Sequence, residues 1–259
     1  MTADPSKASA AERFTQVRLA RGMADIEAAQ RLRYDVFVGE LGGGGAMVDH
    51  ERRLERDAFD PDFEHLVLVD TRRAEGEHVV GVYRLMREPG SAGRYYSEDE
   101  YDLSPLRRSG RRLLELGRSC VHPAYRGGTA MFDLWAGLAA YVEAHGIEIL
   151  FGAASFRGTD PAGHAGPLSL LHHRHLAPPE LRVRSRAPVR MDLVPEAALD
   201  RAAAMAAMPA LIRAYLRLGG VVGEGAYIDA EFNTVDVCLV MDTARLSERH
   251  RALYLSGRR

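Results

Sequence analysis

The chain has 259 residues, 46% hydrophobic and 27% charged, a composition ordinary for a soluble globular protein that is long enough to bury a full core. Its formal net charge of -2 argues against a general nucleic-acid binder, which needs a basic excess. Lys7 is the single lysine, and because arginine hardly deprotonates, lysine-linked Schiff-base chemistry is disfavoured as well.

In chain order, Met1 to Ala11 has no apolar run resembling a signal peptide, and residues 1–15 read as a flexible polar tail. Over 25–38, Ile26, Ala29, Arg33, Val36 and Phe37 recur at helical spacing. Gly42 to Gly45 end that helix in a loop without the Gly-Lys-Ser/Thr ending of a phosphate-binding P-loop, so it reads as a linker. His65–Asp70 and Val79–Arg87 read as strands around a turn at Glu75-Gly76. Arg111–Val121 reads as a third, longer strand stopped by Pro123. Thr129 is placed to N-cap a helix over 130–145, in which Met131, Leu134, Trp135, Leu138, Tyr141 and Val142 form an apolar stripe, and Gly146 ends it. Ile147–Phe151 is a short buried strand. A helical insertion follows around 160–220, within which Pro209 opens a helix that Gly219-Gly220 closes. Ala226–Asp229 and Val235–Met241 form a last pair of strands. The order predicts an α/β fold, a central mixed sheet flanked by helices, in one domain over 16–259. Cys120 and Cys238 fall in strand-like runs and make no disulfide framework, which fits a reduced cytoplasm. No stretch of about eighteen apolar residues is present to span a membrane, although peripheral contact stays open.

The densest signal is E-L-G-R-S-C-V-H-P-A-Y-R-G-G-T-A, Glu115 to Ala130. A strand ends there, a turn follows, and a helix begins at Gly127, Gly128 and Thr129. Small residues expose backbone N–H groups, and the helix start adds a positive dipole, so Arg126, Gly127, Gly128, Thr129 and Ala130 suit an anion such as a pantetheine phosphate. A plain strand-to-helix connection explains the same spacing equally well. Val121, Pro123, Tyr125, Arg126 and Gly127 resemble motif A of the GCN5-related N-acyltransferases (GNAT). Thr129 stands where that motif has glycine, and Met131 where it has a small residue. The resemblance implies the GNAT fold, with no permanently bound cofactor. The departure suits a donor with one phosphate, the acyl-phosphopantetheine of acyl carrier protein, which the arginines Arg107, Arg108, Arg111 and Arg112 would attract.

Further motifs extend the likeness. Arg33-x-x-x-Phe37, Asp57-x-x-Asp60, Arg84 and Glu115-x-x-Arg118 follow the order of polar positions in the acyl-homoserine-lactone synthases. F-D-P-x-F-x-H-L at 59–66, A-S-F-x-G-T-D-P at 154–161, L-A-P-P at 176–179 and I-D-x-x-F-N-T-x-D-V at 228–237 are similar to the L-ornithine N-acyltransferase family of ornithine lipid synthesis, also called hemolysin-like. The resemblance implies transfer of a 3-hydroxyacyl group to the α-amine of ornithine, giving lyso-ornithine lipid. It leaves open another amino acid or a homoserine derivative as acceptor, and a non-catalytic lipid- or carrier-binding module or a membrane-damaging protein as alternatives. It also leaves the acyl length and the oligomeric state open.

An ammonium must lose its proton before it attacks a thioester. Glu115 is the base by its motif position, with a structural ion pair to an arginine as the alternative. Strand alternation puts Glu115, Gly117 and Ser119 on one face and Arg118 on the other. A bulge at Gly117 would bring both charges to one cleft and free N–H groups near Ser119, Cys120 and Val121 for the thioester oxyanion. Asp57 and Asp60 suit the acceptor amine, or turn and cap chemistry. Arg33, Arg84 and Arg118 suit a carboxylate, Arg33 and Arg84 alternatively the same aspartates. His65-x-x-x-x-Asp70 matches a glycerolipid acyltransferase signature, but five positions apart on a strand the two side chains face opposite ways. His172, His173 and His175 do not share a helix face, so no metal site is expected.

Overall fold

A computed structural model describes residues 14–245. Most of the expected tail therefore lies outside the described residues, and Thr15 already belongs to a strand. The elements in chain order are β1 (Thr15–Leu19), α1 (Met23–Arg33), β2 (Glu64–Asp70), β3 (Val79–Met86), β4 (Tyr101–Asp102), α2 (Ser104–Arg108), β5 (Leu113–Val121), α3 (Ala130–His145), β6 (Ile149–Arg157), α4 (Ala165–Arg174), β7 (Arg184–Ser185), α5 (Arg201–Ala207), α6 (Ala210–Arg217), β8 (Val221–Val222), β9 (Tyr227–Asp229) and β10 (Thr234–Asp242). The expected helix over 25–38 divides in two: α1 continues into a π-helical segment, Tyr34–Glu40.

The main sheet runs β1-β2-β3-β5-β6-β10-β8, with β9 also on β10. Its pairings are antiparallel except β5 with β6, which α3 connects. Side chains alternate across it. Leu114, Leu150, Val237 and Leu239 face the helical layer with Leu134 and Leu138 of α3, Leu168 of α4 and Tyr215 of α6. Leu113, Phe151, Cys238 and Val240 face the opposite side, where Phe59, Tyr95, Tyr101 and Leu103 cover them. On that same opposite side α1 packs Ala28, Ala29 and Leu32 on Val67, Val82 and Cys120. Gly146 closes α3 at φ 58, a left-handed cap where glycine has no Cβ penalty. Thr129 occupies the N-cap position but makes no side-chain cap; its hydroxyl donates instead to Asp133 at 2.9 Å.

Two irregularities of β5 shape everything that follows. Val82 pairs with Cys120 and Arg84 with Gly117, so Arg118 and Ser119 together oppose Tyr83. This is a β-bulge, one residue beyond the expected Gly117, and Arg118 adopts φ 48 within it. On the other edge, β5 and β6 pair only from Leu113↔Ile149 to Glu115↔Phe151. Beyond that point β5 continues to Val121 and β6 to Arg157 without pairing to each other, and β6 starts two residues later and ends six residues later than the expected Ile147–Phe151 strand. Gly152 stands at the branch, where a Cβ would strike the Leu116 carbonyl.

Candidate active site

The separated strands enclose a cavity of about 250 Å³. Leu116, Gly117, Arg118 and Ser119 line one flank, and Gly152 to Ser155 the other. Leu150, Tyr215 and Leu239 close it from the helical side, while Tyr96, Glu100, Glu115 and Asp236 close it from the other. The cavity therefore passes through the sheet and joins an apolar face to a polar one. From Leu116 onward the β6-facing edge of β5 has no ladder partner on β6, so backbone N–H groups there are available to an oxyanion.

Glu115 is 1% exposed and, among the described residues, pairs with no arginine. One carboxylate oxygen accepts from the Tyr96 N–H at 2.8 Å, and the other from the Ser97 N–H at 2.6 Å and the Ser97 hydroxyl. Burial pushes its pKa up, and these donors oppose the shift in part. A carboxylate raised in this way, on a cavity wall, is a stronger base than an ordinary surface carboxylate and is suited to accept a proton.

The bulge turns Arg118 to the same polar side. Its guanidinium donates to Glu55 at 3.1 Å, to Asp57 at 3.1 Å and to the Tyr96 hydroxyl at 3.3 Å, and lies 4.2 Å from the Phe232 ring centroid. Arg33 and Arg84 are buried behind it. Arg33 donates to Glu55, and to Asp60 at 2.7 and 3.0 Å. Arg84 Nη1 donates to Asp57 and Asp60 at 2.8 Å each. Gln30 adds a bond to Asp60 at 2.9 Å. Three arginines and three carboxylates thus form one buried, neutral network. Desolvation raises the Glu55, Asp57 and Asp60 pKa values, but the arginines outweigh it and hold all three below the usual carboxylate range.

The structure therefore brings Arg33, Asp57, Asp60, Arg84 and Arg118 together, largely as partners of one another. Arg118 touches the cavity, whereas Arg33 lies a layer behind. Arg84 Nε and Nη2 have no hydrogen-bond partner among the described residues and sit beside Gly117, which has no side chain to shield them. Sequence reasoning missed Glu55, which joins Arg33 to Arg118, and Tyr96 and Ser97, which hold Glu115. No spacing pattern links these residues to β5; the fold alone does. It also read Gly42–Gly45 as a free linker. Gly44 N–H bonds to the Glu231 carbonyl at 2.6 Å, and Gly43 packs so closely on Phe37 and Phe232 that a side chain would not fit.

Of the expected oxyanion group, Ser119 lines the cavity, its hydroxyl without a hydrogen-bond partner among the described residues. Cys120 does not: its thiol packs against the α1 layer, and burial pushes it up to about 12, so it is unreactive. Val121 pairs with Gly81 and its side chain enters the helical-side core. The loop Arg126 to Thr129 is exposed, ahead of Ala130, the first residue of α3. Gly127 takes φ 78, and Arg126 is held by Glu40 at 2.8 and 3.0 Å. Arg107, Arg108, Arg111 and Arg112 are not near this loop along the strand. They precede β5, whose nine residues separate them from its far end by roughly 26 Å at about 3.3 Å per residue. Arg107, Arg111 and Arg112 are engaged by Glu98, Asp242 and Glu148.

The other signals resolve locally. His65 is buried beside the Asp60 carbonyl, and burial pushes it down to about 4, while Asp70 binds Arg72 and Tyr125. His173 meets the Val194 carbonyl. Among the described residues, the three acidic groups close enough to share an ion are Glu100, Asp229 and Asp236.

Residues 32–136 match the acetyltransferase (GNAT) domain family. An L-ornithine N(alpha)-acyltransferase of Rhodobacter capsulatus is 61% identical over 243 residues, covering 92% of this chain and 94% of that protein. One from Brucella abortus is 43% identical over 248 residues, 92% of this chain and 88% of that protein. Among solved structures, FeeM, an N-acyl amino acid synthase from uncultured soil microbes, superposes with a TM-score of 0.52 at 12% identity, over 89% of this chain and 92% of that one. That last likeness concerns the fold alone.

Proposed function

The chain belongs to the L-ornithine Nα-acyltransferase family, and from that premise we propose that it moves an acyl group from a carrier thioester to the α-amine of L-ornithine. The observation that carries this reading is the cavity through the sheet. An acyl chain entering from the apolar face meets a polar acceptor entering from the other, at the gap beyond Glu115 and Phe151.

In the proposed step Glu115 takes a proton from the α-ammonium, directly or through water, and the neutral amine attacks the thioester carbonyl. The C–N bond forms, backbone N–H groups of Leu116 to Ser119 bind the oxyanion, and the C–S bond breaks on its collapse. The attacking nitrogen sheds its second proton as the amide forms, the departing thiolate takes up that proton as the free pantetheine thiol, and Glu115 returns its own proton to water. Arg118, with the free nitrogens of Arg84 beside Gly117, holds the acceptor carboxylate, a role suited to a planar guanidinium. Arg33, Asp57 and Asp60 support these groups from behind.

The donor in this proposal is a 3-hydroxyacyl carrier protein, its single phosphate at Arg126 to Ala130, and the product is lyso-ornithine lipid. The carrier seats at the α3 end of the sheet rather than over Arg107 to Arg112. No described helix is long and apolar enough to cross a membrane. A cytoplasmic site of action with peripheral membrane contact at most fits a one-chain lipid product. The test is an assay of purified protein with 3-hydroxyacyl carrier protein and a panel of amino acids, read by mass. Nα-acyl-ornithine as the dominant product supports the reading; acylation of a different acceptor, or of none, overturns it.

A further inference from the structure

Glu100 enters the cavity wall from the end of the Tyr96–Asp99 turn, where β9 brings Asp229 and β10 brings Asp236. One carboxylate oxygen from each lies within 4.8 Å of the others. Glu100 and Asp236 are 5% and 3% exposed. Among the described residues, Glu100 Oε2 and Asp236 Oδ1 have no hydrogen-bond partner, and neither has the hydroxyl of Thr234, a buried neutral residue on the same cavity wall. The contrast with the rest of the site is sharp. Glu55, Asp57 and Asp60 have arginines, and Glu115 has N–H donors. Arg118, the cation that acts on Glu100 and Asp236, is already shared by Glu55 and Asp57. Burial and the repulsion of neighbouring acids push both carboxyls upward, opposed at Asp236 by the nearby Ser155 and Thr234 hydroxyls, which do not cancel the shift. Buried acidic groups without partners are costly unless a ligand completes them.

We propose that Glu100, Asp236 and Thr234, with Asp229 beside them, form a subsite for the distal ammonium of a diamino-acid acceptor. An ammonium offers three N–H donors, and the wall offers three acceptors for them, the unpaired carboxylate oxygens Glu100 Oε2 and Asp236 Oδ1 and the hydroxyl oxygen of Thr234, which lies beside Asp236. A hard divalent cation takes six or more oxygens, water included, and Asp229 Oδ1, already taken by the N–H groups of Glu231 and Phe232, is a poor further ligand for one. The subsite makes acceptor choice a matter of charge. It rejects a neutral side chain because the acids are then left unpaired. The inference rests on ornithine being the acceptor, and deepens that reading.

Calorimetric titration with L-ornithine and with L-norvaline, the same skeleton without the distal amine, tests it apart from turnover. Wild type is expected to bind ornithine at least about 100-fold more tightly than norvaline. E100Q and D236N should each weaken ornithine binding by roughly 10- to 100-fold and draw the two affinities together, with T234V doing so less strongly. Circular dichroism confirms folding, and the isosteric T234V keeps the test available if an acid substitution unfolds the chain. Equal binding of the two ligands by wild type, an unchanged preference in folded variants, or ornithine binding that a chelator abolishes would each overturn the subsite. The acylation assay separates the two claims. Ornithine bound at the acids but not acylated sinks the proposed function alone, whereas ornithine acylated with no effect of the variants on binding sinks the subsite alone.

Discussion

Glu115 accepts hydrogen bonds through both carboxylate oxygens, which sets what a conservative change there does. In Glu115→Gln one of the Tyr96 and Ser97 N–H groups must face the new amide NH₂. Unfolding free energy should therefore drop by about 1–3 kcal/mol, measured by urea denaturation. Loss of the proton acceptor should separately lower turnover by about a hundred- to ten-thousand-fold. The signature of the chemical role is the pH profile. Wild type loses rate as pH falls through the raised Glu115 pKa, whereas the variant should lack that limb and gain rate as more acceptor amine becomes neutral at high pH. A folded variant with near wild-type turnover at neutral pH would remove Glu115 from the mechanism. Arg33 behaves differently because its partners are buried with it. Arg33→Ala leaves Glu55 and Asp60 without one of their arginines and should cost about 3–5 kcal/mol of stability in the same denaturation measurement.

At the level of elements, the site exists because β5 is irregular on both edges. The bulge at Arg118 and Ser119 delivers a cation to the polar face, at the cost of a left-handed backbone at a non-glycine residue. The loss of pairing with β6 opens the cavity, and Gly152 permits the close approach from which the strands diverge. Gly152→Ala should push β6 away from Leu116, lower stability by about 1–3 kcal/mol in thermal unfolding, and reduce activity by reshaping the cavity. Retention of wild-type stability would show that the branch tolerates a side chain and that something else separates the strands.

Across the whole molecule, buried titratable groups act on acid stability in opposite directions: the raised Glu100, Asp236 and Glu115 carboxyls favour the folded chain as pH falls towards their unfolded values, and the depressed groups oppose this. His65 is held at about 4 by burial, against an ordinary value of 6.5. At this site the unfolded chain binds a proton between pH 6.5 and 4 that the folded chain does not, so the His65 contribution to stability falls as pH falls through that window. The full difference is worth about 3 kcal/mol. Below it, the depressed carboxyls of the arginine network add their own loss as they protonate. His65→Gln has no such proton, so the stability gap between wild type and variant should narrow by about that amount from pH 7 to pH 4. A gap independent of pH would show that His65 is not kept neutral by the fold.

Much of the architecture is legible in the sequence because it is carried by local pattern. Apolar alternation marks β2, β3, β5 and β10, and the stripe with Gly146 marks α3. The end of β6 is not legible, because Gly152-Ala153-Ala154-Ser155 has no apolar contrast to read. Glu115, Arg118 and the loop from Arg126 to Ala130 stand out in a short motif, since a strand end and a helix start place them by chain geometry alone. The tertiary structure decided the rest. Glu55 meets Arg118, and Tyr96 and Ser97 meet Glu115, across separations of 63 and about 19 residues. Glu100, Asp229 and Asp236 converge from a loop and two strands far apart in the chain. Hydrophobic periodicity tells which face a side chain takes, but only the packing of distant segments tells which charge it meets there.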